Sequence, residues 1–502
     1  MIQQSLPGTI EEFVKSLLEP HVAHKVAQRK VIHDPIFGSN IFESHEIALI
    51  DLPFCQRLRR LSQTDVASLV YPSTNHNRLE HSLGVATIAG RIIESIRRRL
   101  SPSSREIAGP EAEMEVRAAA IFHDIGQGPF SHLSDELLKQ LPEVIEYHKQ
   151  HSSKFNKNKP HEMLSYLIIK SPTFQKYLKE EILARYSRPD VNIDRIAEMI
   201  SAAGKNDVLD QLSTWQRDII NGPFDADKLD YLQRDAYFSG LKIGIDFDRF
   251  LHSVWLDSES TPRQLKLMAS GAITLEQILF GKVLLYNTLY QHHKVLAAEC
   301  AVRGIFEILE DNPEYTIRGR RMDKAIDFLY VTEEDILSLE GKPEELEVYI
   351  QRFLRRDLPK RALVISADTV IDPEKSTGYF EFKWLAEDPE GLKNLRRKLV
   401  DALNGKYSIY DIWIVVPRTL TFSDETLRAV IQDPGSEPKS LREPFHVDEW
   451  LTAYWSNKEK SYVFCPAGKE VREEVGKKAA ELLHDEYRFT LNDGAFEQAK
   501  IR

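Results

Sequence analysis

Apolar residues recur with a helical period over the first two thirds of the chain. In the segment 78–100 they follow one another at steps of three or four, at Leu79, Leu83, Ala86, Ala89, Ile93, Ile96 and Leu100. That spacing places them on one face of an α-helix. We predict an almost wholly helical region from residue 44 to about 330. A polar helical lead-in at 1–29 and a short strand and turn at 30–38 precede it.

Two further features divide this helical region. The polar, lysine-rich residues 149–160 predict a loop, and Pro160 suits the first turn of the helix that follows. A long helix is predicted after Thr274, continuing without a break to Leu309.

The pattern changes after about residue 330. The runs RALVIS, GYFEFKWLA, YDIWIVVP and KSYVFC are rich in β-branched and aromatic residues and are separated by Pro, Gly, Asp and Ser, which predicts strands. A helix is predicted at 469–484. The expected fold class is mainly α, with a helical core and a smaller C-terminal α+β region. The predicted domains are 1–29, 30–330 and 331–502.

Composition excludes several classes of protein. The 502 residues are 42% hydrophobic and 28% charged, which is typical of a globular protein with a large core. The chain has no apolar run near the ~18 residues of a membrane helix and no visible secretion signal. Three widely spaced cysteines, Cys55, Cys300 and Cys465, argue against a disulfide framework and predict a reduced, cytoplasmic protein. The net charge of −11 argues against a surface that binds nucleic acid throughout, but allows a local basic pocket.

Four residues form a set of candidate metal ligands: His81, His123, Asp124 and Asp227. In AAAIFHDIGQGPFSH an apolar helical run ends at the His-Asp pair, and the Gly-Gln-Gly-Pro break places another histidine beyond a tight turn. Two imidazoles and two carboxylates suit Mn²⁺, Fe²⁺, Ni²⁺ or Zn²⁺, among which the sequence does not choose. For any single member a capping aspartate or a hydrogen-bonded core histidine is the alternative, whereas the four together favour a metal site.

A later helix carries polar groups on one face. Asp227, Lys228, Tyr231 and Asp235 fall within about a quarter to a third of the helix circumference, and the apolar residues between them cluster elsewhere. Lysine normally points to water, so this face is unusual for a purely structural helix. Arg78 lies three residues before His81, near the same face, and its planar cation suits a triphosphate.

These motifs resemble those of the HD-domain phosphohydrolases. The resemblance runs from about residue 30 to 360 and is carried by RLEHSLGV, AAIFHDIGQGPFSH, the pair His161-Glu162 and NGPFDADKLDYLQRD. Within that superfamily the sequence is similar to the dNTP triphosphohydrolases that join a sterile-alpha-motif to an HD domain, although the sterile-alpha-motif is absent here. The H…HD…D core is shared by the whole superfamily and implies only phosphoester chemistry, whereas HNRLEHSLG, GPFSH and DADKLDYLQRD are narrower.

The resemblance implies roles for residues around the metal. Arg78 and Lys228 would hold phosphate; Gln63, Tyr231 and Asp235 would meet the sugar hydroxyl; Tyr290 would line the pocket or serve as a core tyrosine. The catalytic cluster would be His132, Asp135, His161 and Glu162. In such a cluster an acid orients an imidazole, and His132 would protonate the departing 5′ oxygen. The alternative for His161 is a capping or solvent-facing residue.

Two residues depart from the family's pattern. Gln127 stands where the family usually has another histidine, which would alter the acid–base network. Thr64 replaces a larger apolar residue that crowds the ribose 2′ position, so the discrimination against ribonucleotides stays open.

A second nucleotide site is also implied by the resemblance. Matches to the family's guanine-nucleotide activator site are Lys30, Val31, Asp51, Gln56 and Arg59, and matches to the residues that reach the activator from a neighbouring subunit are Arg356 and Lys360. His33 replaces an asparagine, so a different activator is left open. The alternative is that Asp51 caps the helix near Pro53 and the arginines form surface ion pairs. A functional site would couple activation to a homotetramer or dimer, with 331–502 as the regulatory and oligomerisation region.

The leading hypothesis is a metal-dependent dNTP triphosphohydrolase that releases deoxynucleoside and triphosphate, with Mg²⁺ on the nucleotide phosphates and activation by GTP or a dNTP. The first alternative is a phosphodiesterase or nuclease acting on single-stranded nucleic acid or a signalling nucleotide, which a broad basic groove would favour. The second is a non-catalytic nucleotide sensor. The expected partners are nucleoside triphosphates and further copies of the chain; nucleic acid is not favoured, and no membrane is expected.

Overall fold

A computed structural model describes residues 5–22, 26–155, 158–201, 214–260, 262–418, 429–440 and 458–499. Up to residue 285 the elements are α1 (Leu6–Leu18), β1 (Lys30–Asp34), β2 (Gly38–Phe42), α2 (Ser44–Ile50), α3 (Pro53–Arg57), α4 (Arg78–Arg99), α5 (Pro110–Phe122), α6 (Ser131–Leu138), α7 (Pro142–Gln150), α8 (Ser152–Phe155), α9 (Pro160–Lys170), α10 (Pro172–Tyr177), α11 (Ile193–Ile200), α12 (Thr214–Asn221), α13 (Ala226–Ser239), α14 (Phe247–Ser253), β3 (Val254–Asp257), β4 (Gln264–Leu267) and α15 (Ala272–Leu285). The later elements are α16 (His293–Asp311), α17 (Ala325–Tyr330), α18 (Glu333–Leu337), α19 (Glu344–Leu354), β5 (Lys360–Ile365), α20 (Thr377–Trp384), α21 (Pro389–Ala402), β6 (Trp413–Val415), β7 (Val430–Ile431), β8 (Lys439–Ser440), β9 (Ser461–Cys465), α22 (Lys469–Tyr487) and α23 (Gly494–Glu497).

The chain divides into two units that are each discontinuous in sequence. The first comprises Met1–Leu285, Met322–Ile336 and Phe422–Phe445, and the second comprises Tyr286–Arg321, Leu337–Thr421 and His446–Arg502. The mainly α fold class is confirmed. The domain boundaries predicted at 29/30 and 330/331 stay a prediction. In the part of the chain that the structure describes, no helix is long and apolar enough to cross a bilayer.

The helical core of the first unit is built around α4. This helix packs against α5 on one side and α13 on another, and its inward face is fully buried from Val85 to Ile96 at the apolar positions. Helices α4 and α13 pack together, and at Gly84 an added Cβ would lie 1.8 Å from Asp230 Oδ1. Glycine is therefore required at this crossing, and the crossing brings the N-terminal halves of the two helices together.

Two small sheets belong to the first unit. Strands β1 and β2 form an antiparallel hairpin in which Val31 pairs with Ile41. Strands β3, β4, β7 and β8 form a second sheet, in which β4 and β7 run parallel. The strands β3 and β4 interrupt the region from 44 to 330 that was expected to be almost wholly helical.

The second unit contains an antiparallel three-stranded sheet in the order β5-β9-β6. Its core includes Leu363 and Val463 from the sheet, Phe382 from α20, Leu399 from α21 and Val475 from α22. The strands predicted at RALVIS, YDIWIVVP and KSYVFC and the helix predicted at 469–484 are confirmed.

Three local predictions are wrong. GYFEFKWLA forms helix α20, because the Ser376 side chain caps its first turn and its buried residues Tyr379 and Phe382 are spaced three apart. The predicted long helix is broken between α15 and α16 by a wider turn at Tyr286–Tyr290, and the His292 side chain then caps α16. The predicted loop at 149–160 contains the short helix α8.

Candidate metal centre and phosphate site

Three helices of the first unit bring the predicted metal ligands together. His81 lies in the first turns of α4, which Asn77 caps, while His123 and Asp124 follow the end of α5. Donor atoms of His81, His123 and Asp124 all lie within 4.8 Å of one another. Asp227, in the first turn of α13, places its Oδ1 3.0 Å from Nε2 of His81. The first three residues thus form one compact group, and Asp227 joins it through His81 from the side open to solvent, where 37% of its side chain is exposed.

The hydrogen bonds of the two histidines fit a cation between them. Nδ1 of His81 lies 2.7 Å from Asp230 Oδ2, and Nδ1 of His123 lies 2.7 Å from the Ala120 carbonyl oxygen. Since both partners are acceptors, each Nδ1 donates its proton to them, and each Nε2 is the atom that would bind an ion, which displaces any proton held there. The two Nε2 atoms are 3.3 Å apart, an arrangement that a shared divalent ion would stabilise.

The charges around the centre are strongly coupled. Burial alone would lower the pKa of His81, but hydrogen bonds to Asp227 and Asp230 raise it to about 10. Burial would raise the pKa of Asp124, but the neighbouring His123 and Arg78 hold it well below its usual range. Asp124 is therefore ionised at neutral pH, as a metal ligand must be, whereas His81 would release its Nε2 proton when an ion binds.

Arg78 is fixed beside the ligand set. Its Nη1 donates to Asp124 Oδ2 at 2.8 Å, and its Nε donates to Ser131 Oγ at 2.8 Å. Its Nη2 is enclosed and has no hydrogen-bond partner among the described residues. Enclosed polar groups in folded proteins are nearly always bonded, so this nitrogen is suited to an oxygen from water or a ligand.

His161 and Asp135 form a pair next to the same aspartate. The Nδ1 of His161 is 2.7 Å from Asp135 Oδ2, and its Nε2 is 3.4 Å from Asp124 Oδ1. Burial works against the charged forms, yet the pair raises the pKa of His161 and lowers that of Asp135 to about 2. His161 is buried, which excludes the alternative of a solvent-facing residue. Glu162 accepts the backbone N–H of Lys159 at 3.2 Å and so caps α9; its predicted catalytic role stays a prediction.

His132 begins helix α6 after a strained turn. Phe130 and Ser131 both have left-handed backbones, with φ of 58° and 43°, and the His132 N–H donates to Asp65 Oδ1 at 2.9 Å. The His132 side chain reaches solvent. The surrounding protein, followed by the cations of Lys159 and Arg78, lowers the pKa of His132 to about 3. Its imidazole is therefore neutral at pH 7 until a negative charge comes close.

Side chains on the polar face of α13 form hydrogen bonds and ion pairs within the protein that the sequence did not indicate. Lys228 forms an ion pair with Asp225 and donates to the Gly222 carbonyl at 2.9 Å. Asp235 Oδ1 lies 2.8 Å from Nε2 of the buried His76, which also stacks on Phe238. Tyr231 is partly exposed, and burial followed by nearby aspartates raises its phenol pKa well above the usual value.

Three further predicted residues are enclosed near these helices. Gln63 Oε1, Thr64 Oγ1 and both amide atoms of Gln127 have no hydrogen-bond partner in the described ranges. The Gln63 N–H donates to the His76 carbonyl, and Asp65, the residue after Thr64, accepts the His132 N–H.

Sequence reasoning missed three charged residues of this site. Asp230 and Arg234 lie on α13 within DADKLDYLQRD, and the spacing of Asp230, three residues after Asp227, was a usable signal. Lys282 lies on the apolar helix α15, and nothing in its local sequence marks it. Burial, followed by repulsion from Lys228 and Lys159, lowers the pKa of Lys282 to about 8, which places it among the cations of the site.

The residues predicted for an activator site lie in both units. Lys30, Val31, Asp51 and Arg59 are exposed in the first unit, where Gln56 Oε1 accepts the Arg59 Nε at 2.8 Å. Asp51 is the residue after α2, and no side chain caps α3, so the capping alternative for Asp51 is wrong. Arg356, with a left-handed backbone, and Lys360, at the start of β5, belong to the second unit, as does Tyr290.

Comparison with known proteins places this site in a family. A model of the HD domain matches residues 78–232, which contain all four candidate ligands. An uncharacterized protein of Methanocaldococcus jannaschii is 30% identical over 342 residues, covering 67% of this chain and 60% of that protein. The deoxynucleoside triphosphate triphosphohydrolase SAMHD1 of Bos taurus is 28% identical over 295 residues (57% of this chain, 49% of that protein). Its Homo sapiens counterpart is 27% identical over 335 residues (63% and 50%).

The chain thus spans between about half and three fifths of the length of the curated relatives it matches. The resemblance drawn from the motifs is confirmed; an HD domain implies divalent-metal binding, and His81, His123 and Asp124 form a group that could hold such an ion. The chain thus contains an HD domain at residues 78–232 and is related to the SAMHD1 triphosphohydrolases at modest identity.

Proposed function

We propose that the protein is a metal-dependent triphosphohydrolase that converts a deoxynucleoside triphosphate and water into a deoxynucleoside and inorganic triphosphate. The observation that carries the proposal is the set of cations around the ligand set. Arg78 contacts Asp124 at 2.8 Å, and Lys282 and Lys228 lie close enough to repel each other beside Asp225 and Asp227. Three cations suit the several charges of a triphosphate better than the single charge of a phosphodiester.

The proposed reaction breaks the bond between the α-phosphorus and the 5′ oxygen. A divalent ion held by His81, His123, Asp124 and Asp227 would supply Lewis acidity toward the phosphoryl group and a more acidic water. Arg78, Lys228 and Lys282 neutralise the triphosphate; Lys228 does so by exchanging its bond to Asp225 for a phosphate oxygen. Asp135 fixes the His161 ring by accepting from its Nδ1, and His161 in turn contacts Asp124.

His132 delivers a proton to the departing 5′ oxygen. In the free protein its pKa of about 3 leaves it neutral at pH 7. Burial lowers this pKa most, and Lys159 and Arg78 lower it further, so a triphosphate that neutralises these two cations raises it. His132 thus takes up a proton more readily once the triphosphate is bound. In the free protein its imidazole stays neutral.

The proposal is tested by product analysis. Purified protein with Mn²⁺ or Mg²⁺ is incubated with each of the four dNTPs and four NTPs, alone and with GTP or a second dNTP. Nucleoside plus triphosphate supports the proposal, and Asp227→Asn should abolish both products. Eight intact nucleotides in every mixture would remove the proposal, and cleavage of single-stranded oligonucleotides instead would establish the phosphodiesterase alternative.

We further propose that Thr64 leaves room for a ribose. Its enclosed hydroxyl without a partner is suited to a 2′-hydroxyl, which a larger apolar side chain would exclude. The wild-type protein should hydrolyse NTPs within about tenfold of the matching dNTPs, and Thr64→Leu should widen that ratio. An unchanged ratio in Thr64→Leu would contradict this assignment.

We also propose a nucleotide activator site at Lys30, Val31, Asp51, Gln56 and Arg59, completed in a homo-oligomer by Arg356 and Lys360 of another copy. Its support is the exposure of the first-unit residues and the Gln56–Arg59 bond that presents the guanidinium. Activation of dTTP hydrolysis by GTP, lost together with assembly in Arg59→Ala, is the expected result from activity assays combined with light scattering. Equal activity and mass with and without GTP would contradict it.

A cytoplasmic location is proposed because the three cysteines are free and buried.

A further inference from the structure

A continuous series of charged bonds joins the hairpin β1–β2 to His81. The His81 Nδ1 lies 2.7 Å from Asp230 Oδ2. Arg234 donates from Nε and Nη2 to the two oxygens of Asp230, at 2.8 and 2.9 Å. The same Nη2 donates to Asp34 Oδ2 at 2.8 Å, and Asp34 is the last residue of β1. Four side chains therefore connect the hairpin with a candidate metal ligand.

The series is rigid because its members are shielded from water. His81, Asp230 and Arg234 are each 0% exposed, and Asp34 is only 12% exposed at its side chain. Breaking one member of a buried ion pair leaves an uncompensated charge, which is strongly unfavourable. Each member therefore holds its neighbour in one arrangement, and Gly84 leaves no room for Asp230 or Arg234 to move toward α4.

Asp34 uses its two oxygens for different purposes. Oδ1 accepts the backbone N–H groups of Ile36 and Phe37, each at 2.8 Å, and so fixes the turn of the hairpin. Oδ2 holds Arg234. The conformation of the hairpin and the position of Arg234 are thus set by one carboxylate.

The hairpin has an inner and an outer face. Side chains alternate along a strand, and the outer face exposes Val31 and its cross-strand partner Ile41, at 64% and 50%. His33 is exposed on this same face, whereas Asp34 and Phe42 point inward. The outer face of the hairpin is thus exposed, while its inner face ends in the series of charges.

We propose that Asp34 and Arg234 are positioning residues for the metal centre, through which the hairpin sets the orientation of the His81 ring and hence the affinity for the ion. The proposal rests on the proposed function only in requiring that the centre binds a divalent ion. Asp230 keeps the proton of His81 on Nδ1 and the lone pair of Nε2 toward the ion. Arg234 keeps Asp230 in place, and Asp34 keeps Arg234 in place.

The decisive variant is Asp34→Asn. Its side-chain oxygen can still accept from Ile36 and Phe37, but its amide group cannot accept from Arg234. Loss of a direct partner of a ligand weakens metal affinity by about 10–100-fold, so Asp230→Asn should fall in that range and the more distant Asp34→Asn about 3–10-fold. Affinity is measured by calorimetric titration with Mn²⁺ alone, without nucleotide, and the ligand field by electron paramagnetic resonance of bound Mn²⁺.

Asp246→Asn provides the matched control. Asp246 also caps a backbone N–H with one oxygen, that of Arg249 at 3.0 Å, and holds the Arg249 Nε with the other at 3.2 Å. It has no bond to the series of charges. Its replacement should leave the Mn²⁺ affinity and spectrum unchanged, which separates the effect of the series from the loss of any aspartate–arginine pair.

A double-mutant cycle completes the test. Asp34→Asn should have no further effect in an Asp230→Asn background, because both act through one path. Mn²⁺ should also slow amide exchange in residues 30–42 of the wild type but not of Asp34→Asn, since coupling is reciprocal. Additive effects in the cycle, or a folded Asp34→Asn protein with wild-type Mn²⁺ affinity, would overturn the proposal, as would a wild type that binds no Mn²⁺. Failure of the proposed dNTP hydrolysis alone would leave these readouts standing.

Discussion

One methyl group added at Gly84 should destabilise the protein, against the usual trend for a helix. Alanine is favoured over glycine in a helix interior by about 1 kcal/mol. At Gly84, however, the new Cβ would lie 1.8 Å from Asp230 Oδ1 and 2.4 Å from Arg234 Nη2. Both side chains are fully buried and bonded to each other, so neither can move without loosening the ion pair. Overpacking costs about 1–3 kcal/mol and breaking a buried pair about 3–5 kcal/mol.

Since the pair should be displaced rather than lost, we expect a net destabilisation of about 2–4 kcal/mol, or a melting temperature lowered by roughly 5–10 °C. Thermal unfolding by calorimetry measures it. Gly304→Ala is the control, because its Cβ would meet no atom nearer than Tyr410 O at 3.4 Å, an ordinary contact distance, and should be neutral or stabilising. A Gly84→Ala protein as stable as the wild type, with equal Mn²⁺ affinity, would refute the reasoning about this crossing.

Three further predictions concern Arg78, His132 and His45. Arg78→Lys should lower kcat/KM for dNTPs by about 10²-fold or more, because lysine cannot bond Asp124, Ser131 and a phosphate together; steady-state kinetics measure it, and a change under twofold would contradict it. His132→Ala should cut turnover by about 10²–10⁴-fold with metal content unchanged, measured by single turnover and elemental analysis; near-normal turnover would remove His132 from the mechanism. Burial lowers the pKa of His45 below 6.5, so the unfolded chain binds a proton first and stability falls as pH drops below 6.5. Urea titrations at pH 7 and 5 measure the free energy of unfolding, and His45→Gln should show a smaller loss between these pH values. An equal loss in both proteins would count against the prediction.

Periodic helices could be predicted from sequence, and elements decided by tertiary contacts could not. The apolar residues at steps of three and four predicted α4 correctly, because the face they form packs on α5 and α13. The run GYFEFKWLA has strand-like composition, yet it forms α20, where Phe380 and Trp384 are exposed four residues apart. Strand composition reflects fit to a half-buried surface, and here the surrounding core selected a helix.

The candidate site divides in a similar way. Ligand types and spacing were sufficient to predict residues that lie close together: His81, His123 and Asp124 form one group, and Asp227 contacts His81. Residues that act through the ligands were missed, because Asp230 and Arg234 acquire meaning only where α13 crosses α4. Lys282 was missed since it lies in an apolar helix and becomes a site residue only through the packing of α15 on α13.

The central claim is that water attacks the α-phosphorus and releases the whole triphosphate from the nucleoside. Hydrolysis of a dNTP with Mn²⁺ in ¹⁸O-labelled water, followed by mass spectrometry of the separated products, tests it most directly. The account predicts one ¹⁸O in the triphosphate and none in the deoxynucleoside. Label in a nucleoside monophosphate or in orthophosphate, or substrate left intact under every activating condition, would contradict it.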